Sequence, residues 1–256
     1  MQNAIVRDGA YMRRLKDALY AQYGIAALEI TPACRGYYGE TWKVCADSGC
    51  YFLKIDALPF HQTRYRRSLS VIEYLCENGI DFVGTIIRTR QNSLCFDFDA
   101  AVAALFAWVD GENVETDETK TPEYQMLCKI YRLTKPGLGI PSASFSDDAG
   151  GNFFVGNGRN YILDWDEVMY APLERDAWVM GCYDWARRLF NDTLQANGID
   201  DRLCPERLAF YCYHMFFFYL GEFLQVHPMQ DKRQRIRAYF EDGWILSRIR
   251  FADTIA

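Results

Sequence analysis

The sequence predicts an α+β protein: a small antiparallel sheet with one helix against it, followed by a mainly helical second half. Three observations lead there. Short strand-forming runs separated by Gly and Ser crowd the first hundred residues. A hairpin signature with acids near both ends, FSDDAGGNFFVGNGRNYILDWDE, follows at 145–167. From Leu173 onward the sequence reads as mostly helical.

The elements follow in order. Tyr11, Leu15, Leu19 and Tyr23 recur at helical spacing over 9–24. AALEIT, ETWKVCAD and GCYFLKIDAL then read as three strands, with Gly36 and Gly39 in the first connection and Ser48-Gly49 in the second. A helix runs from about Thr63 to Glu77, where Asn78-Gly79 stops it. GTIIRTR and SLCFDFD are further strands, and AVAALFAWVDGEN is a strand running into a connection. EYQMLCKIYRLT, after Pro122, is a helix ended by Lys135-Pro136-Gly137. The expected division is a β-rich half at 1–108 and a helical half at 109–256.

Composition narrows the class. Half of the 256 residues are hydrophobic, which supports a substantial core. A net charge of −6 gives no general attraction to nucleic acid or an anionic membrane. Nine Cys without CxxC spacing read as reduced thiols of a cytoplasmic protein rather than a disulfide framework or zinc site. The N-terminal residues lack the apolar core of a signal peptide. The longest apolar run, FYCYHMFFFYL at 210–220, falls short of the ~20 residues that cross a bilayer.

The acidic hairpin carries the chemistry. Phe153-Phe154-Val155 and Tyr161-Ile162-Leu163 are strand formers, and Gly156-Asn157-Gly158 between them suits a reversing turn with positive φ. An antiparallel return brings Asp164 back toward the side of Asn152. A carboxamide oxygen beside a carboxylate is a hard-oxygen site suited to Mg²⁺, which needs few protein ligands when phosphates supply the rest.

Lys54 on the third strand, then helices, then Asp147-x4-Asn152, then the hairpin and Asp164-Trp165: this order resembles the protein-kinase-like fold. More narrowly, GGNFFVGNGRNYILDWDEVMYAPLERDAWVMG resembles the aminoglycoside phosphotransferase and choline-kinase group, and within it spectinomycin-phosphotransferase-like enzymes. The resemblance implies an abridged two-lobe kinase-like fold, with the nucleotide held by the β-rich lobe. It implies ATP and Mg²⁺ as cofactors and a small-molecule hydroxyl as acceptor. Asp147 falls on the catalytic aspartate that orients the acceptor hydroxyl. Asn152 and Asp164 fall on the metal ligands, with Asp166 supporting the metal. Lys54 falls on the lysine of the α/β phosphates, Gly36 and Gly39 on the loop covering them, and Phe106 to Val109, including Trp108, on the adenine hinge. Asp176 falls on an acid that buttresses the catalytic loop.

Three departures from the family pattern stand out. Phe145 occupies the place of a bracing His. Arg66 stands where a helix should offer Lys54 a carboxylate, leaving Glu73, on a stripe with Leu69, Ile72 and Cys76, as the substitute. Only PGLGIPSASFSD lies where the family inserts several helices. These departures raise the alternative of a kinase-like protein with little or no transfer activity, serving as a nucleotide-binding or interaction module.

The late apolar helix bears on assembly. Phe210, Tyr213, Phe217 and Leu220 fall on one side, and Tyr211, Met215 and Phe218 on another. A helix apolar nearly all round is normally buried on more than one face, so a homodimer burying part of 205–225 is expected.

Overall fold

The computed structural model describes residues 7–33, 38–134, 145–146, 152–226 and 229–255. In chain order the elements are α1 (Gly9–Tyr23), β1 (Glu29–Pro32), β2 (Gly39–Ala46), β3 (Gly49–Asp56), α2 (Pro59–Glu77), β4 (Ile86–Ile87), β5 (Phe96–Phe98), β6 (Ala101–Ala107), β7 (Gly111–Asn113) and α3 (Lys120–Tyr131). There follow β8 (Phe145–Ser146), β9 (Phe153–Gly156), β10 (Arg159–Ile162), β11 (Met169–Tyr170), α4 (Glu174–Ala177), α5 (Asp184–Ala196), α6 (Pro205–Val226), α7 (Met229–Glu241) and α8 (Gly243–Asp253). Two compact units result: Met1–Glu112 with Val155–Glu167, and Asn113–Phe154 with Val168–Ala256. The sequence division at 108/109 put the whole hairpin with the helices. Here the break comes after Glu112, and Val155–Glu167 goes with the sheet.

In the sheet unit the strand order is β1-β2-β3-β6-β4, with β5 also on β6. The pairings are antiparallel throughout. Asp8 caps α1 by accepting from the Tyr11 amide at 2.7 Å, and Gly24 ends it in the left-handed region at φ 76°. The apolar stripe of α1 places Leu15 and Leu19, both fully buried, in a core with Trp42, Val44, Leu53, Ile55, Phe98 and Leu105. Each such aliphatic contributes about 1.5–3 kcal/mol by leaving water. Helix α2 begins at Pro59, earlier than Thr63, because proline suits a first turn whose amide would bond nothing. GTIIRTR supplies only Ile86–Ile87 to the sheet. After it, Thr89 turns the chain, its hydroxyl accepting from the Ser93 amide at 3.0 Å.

The β2–β3 hairpin corrects the cysteine reading. Cys45 and Cys50 sit opposite each other in register, their Cα atoms 4.2 Å apart, and they form a disulfide. Both lie at equal distance from the Asp47-Ser48 turn, so strand pairing alone brings them together.

The helical unit is pinned by buried polar pairs. Glu174 is fully buried and accepts two 3.0 Å bonds from Arg207 and one from the Cys204 amide at 2.6 Å. Buried Asp176 accepts from Tyr131 at 2.6 Å. Lys120 donates to Glu123 at 2.8 Å. Burial pushes the Glu123 carboxyl up to about 7, against the pull of Lys120. The backbones of β8 and β11 pair, Phe145 opposite Tyr170. Helix α6 buries Leu208, Ala209, Cys212, Met215 and Phe216, while Phe210 is 58% and Phe217 64% exposed. Among the described residues no helix is long and apolar enough to cross a membrane.

Candidate nucleotide and metal site

Lys54 stands on β3 in a strand buried on both sides of it: Leu53 is fully buried and Ile55 2% exposed. Its ammonium pairs with two carboxylates, Asp164 and Asp166. Burial alone would lower the lysine pKa. The two acids more than offset that and raise it, so the side chain stays charged. One cation cannot balance two anions, however. Asp166 is buried and carries the surplus. Its carboxyl is pushed up to about 6 by burial first, with Asp164 adding and Lys54 opposing. Asp164 is the open member of the trio, its side chain 57% exposed.

The local chain explains how Asp164 is presented. The hairpin forms as expected: β9 and β10 flank Asn157 (φ 52°) and Gly158 (φ 72°), the positive-φ pair of a tight two-residue turn. Asp164, two residues past β10, itself sits at φ 66°. Non-glycine residues rarely occupy that region, and such outliers gather at functional sites. Trp165, 2% exposed, secures the bend by donating to the Ile162 carbonyl at 2.7 Å.

The other expected site residues fall as follows. Glu73 is not the carboxylate for Lys54; it pairs with Arg88, and Arg66 pairs with Asp97. Gly39 lies within β2, where a Cβ would stand 1.9 Å from the Ile55 carbonyl oxygen. Close strand approach therefore explains that glycine. Phe106 is buried on β6, opposite Phe52. Trp108 follows β6, with the Lys43 ammonium 4.3 Å from its ring centroid. Its buried indole Nε1 makes no hydrogen bond among the described residues. Asn152 immediately precedes β9, in the helical unit. Gly36 and Asp147 lie outside the described residues.

Sequence reasoning missed His61. It is fully buried, paired through Nδ1 with Asp56 and 3.0 Å through Nε2 from Glu167. Burial opposes its charge, but the two carboxylates prevail and lift its pKa to about 9. The helical unit holds a cavity of about 390 Å³, lined in part by Glu115, Asp117, Lys120, Tyr183, Trp185 and Trp244. Nothing in the sequence marked it, because its walls come from distant segments.

Would these residues suit a nucleotide with a divalent cation? Among the described residues no three His, Cys, Asp or Glu side chains gather into a ready cage. Mg²⁺ does not require one when phosphate oxygens complete its shell. An exposed carboxylate, Asp164, a charged lysine beside it and a buried indole N–H at the end of β6 that makes no hydrogen bond among the described residues fit the pair.

No family model matches the chain, and no curated protein matches it. Solved structures do. A spectinomycin phosphotransferase in complex with ADP and spectinomycin is 16% identical, with 94% of this chain and 97% of that one covered and a TM-score of 0.72. An amicoumacin kinase in complex with AMP-PNP and Ca²⁺ is 13% identical, with 97% and 94% covered and a TM-score of 0.66. A microcompartment-associated aminopropanol kinase is 12% identical, with 94% and 96% covered and a TM-score of 0.66. The chain therefore has the kinase-like fold shared by small-molecule phosphotransferases, a β-sheet unit and a helical unit, along nearly its whole length.

Proposed function

We propose that this chain is an ATP- and Mg²⁺-dependent phosphotransferase that acts on a hydroxyl of a small molecule. The observation that carries the reading is Lys54 held against Asp164 and Asp166, with Asp164 open to solvent. When bound, Mg²⁺ would neutralise phosphate charge and fix the phosphates for in-line transfer. Asp164 and Asn152 would hold it, with Asp166 behind. Lys54 would exchange part of its hold on Asp164 for the α/β phosphates. Trp108 and the chain at Phe106–Val109 would bind the base. Asp147 would accept the acceptor's hydroxyl proton and aim its oxygen. No covalent intermediate is needed; positioning and charge neutralisation supply the rate. The cavity in the helical unit is a concave space of the size small ligands use. We further propose a cytoplasmic homodimer that covers part of the exposed face of α6.

A second reading is a kinase-like protein that binds nucleotide but transfers little. Phe145 in place of the bracing histidine favours it. A thermal-shift titration with ATP plus Mg²⁺, followed by an ATP-consumption assay over a panel of alcohols and aminoglycosides, separates the two. Stabilisation with turnover supports the enzyme, stabilisation without turnover the second reading, and neither result would refute both.

A further inference from the structure

Helix α2 presents His61, Arg64 and Ser68 at i, i+3 and i+7, one stripe of a helix. All three reach the four residues Asp164–Glu167. Ser68 Oγ donates to the Asp166 carbonyl at 2.6 Å. Arg64 pairs with the Glu167 carboxylate. His61 Nε2 stands 3.0 Å from the same carboxylate. Tyr38 stacks on the imidazole with centroids 3.7 Å apart and donates its hydroxyl to Glu167 at 3.0 Å. On its other nitrogen His61 holds Asp56, the last residue of β3, two beyond Lys54. The imidazole thus joins the strand bearing Lys54 to the segment bearing Asp164.

We propose that Glu167, gripped by His61 and Arg64 of α2, is a positioning residue that sets Asp164 and Asp166 against Lys54. Helix α2 sends Lys54 no carboxylate, since Glu73 is engaged by Arg88. It acts through the segment that supplies the carboxylates instead. Burial makes the His61 side of the grip consequential, whereas Arg64 is 44% exposed and adds less. An exposed ion pair holds geometry weakly, whereas removing one member of a buried network leaves its partners uncompensated and moves them. The consequence for binding rests on the nucleotide reading above.

The test is the acylation rate of individual lysines in Glu167→Gln, read peptide by peptide by mass spectrometry without nucleotide. Lys120, buried in the helical unit, is the internal reference. Release of Asp164 and Asp166 should speed Lys54 by roughly fivefold relative to Lys120, as expected of local rather than global opening. Equal acceleration at both lysines, or none, overturns the proposal and leaves Glu167 a structural residue. If Glu167→Gln does not fold, Tyr38→Phe removes one donor and should give a smaller increase at Lys54 alone; no increase there overturns the proposal. Calorimetry well below the melting midpoint supplies the second readout: Kd for ATP·Mg²⁺ should rise about tenfold, and an unchanged Kd overturns the functional role. A wild-type protein that binds no ATP·Mg²⁺ would instead refute the nucleotide reading, while the lysine rates still decide whether Glu167 positions the carboxylates.

Discussion

Lys54 and Asp164 form an ion pair across 110 residues of chain. A strand-borne lysine is ordinarily a surface group; this one is held by the bend that follows the acidic hairpin. Asp164 is the exposed end of the pair, so it is the group a divalent cation would engage first. Calorimetry on Asp164→Ala should show ATP·Mg²⁺ affinity down at least about tenfold, ~1.4 kcal/mol. Equal affinity would remove the metal assignment.

How much of this was legible? The hairpin was, because Asn157-Gly158 between two aromatic-rich runs permits few other conformations. The resemblance carried by the order lysine strand, hairpin, Asp-Trp also implied that Lys54 and Asp164 lie together, as they do in their ion pair. The partner of Lys54 on the helix side was not. Glu73 lay on a plausible stripe, but Arg88, the residue after β4, claims it. His61 was invisible for a related reason: its meaning lies in Asp56 and Glu167, and only the folded chain brings Glu167 to it. Cys45 and Cys50 could have been read, since they are equidistant from a two-residue turn. Counting cysteines over the whole chain hid that local symmetry.

His61 ties stability to pH. Its folded pKa of about 9 exceeds the usual 6.5 because Asp56 and Glu167 outweigh burial; Arg64, on Glu167, and Tyr38, stacked on the ring, share the site. A raised pKa contributes stability in full below pH 6.5, and that contribution is lost as pH rises through about 9. The size is on the order of 3 kcal/mol. The melting-temperature gap between wild type and His61→Gln should therefore be widest near pH 6 and shrink toward pH 9.5. A gap independent of pH would mean the imidazole is neutral in the fold.

The Cys45–Cys50 disulfide closes a short loop, so chain entropy assigns it only about 2 kcal/mol. Under a reductant, or in Cys45→Ser, melting should fall by roughly 4–8 °C with the fold retained. Thiol titration of the denatured, unreduced chain should fall at least two groups short of the nine cysteines in the sequence. A count of nine would show the pair to be open.

If phosphotransfer occurs, Asp147→Asn should nearly abolish turnover and leave ATP affinity roughly intact, because the carboxylate would act on the acceptor hydroxyl and not on the nucleotide. A mutant retaining most of its kcat would pass the role to Asp148 or another group. Phe145→His is the complementary variant. It should raise the rate if a missing brace limits the enzyme; a neutral or harmful result would mean the loop is built around Phe145.

Assembly is the remaining expectation. Helix α6 turns Leu208, Cys212 and Met215 inward, yet leaves Phe210 and Phe217, seven residues apart on one face, more than half exposed. His214 between them is also exposed and stacks on Phe210 with ring centroids 5.6 Å apart. Spacing of four then three is the pattern by which two helices pack along a seam. A two-fold axis would lay the same face of a second copy against it, burying identical residues from both sides. Light scattering coupled to size-exclusion chromatography at micromolar concentration should therefore report a dimer, twice the 29.7 kDa chain mass. Phe217→Glu should place a charge in the seam and return the monomer without lowering the melting temperature of the single chain. A wild-type monomer would end the dimer proposal, and a dimer untouched by Phe217→Glu would move the interface away from α6.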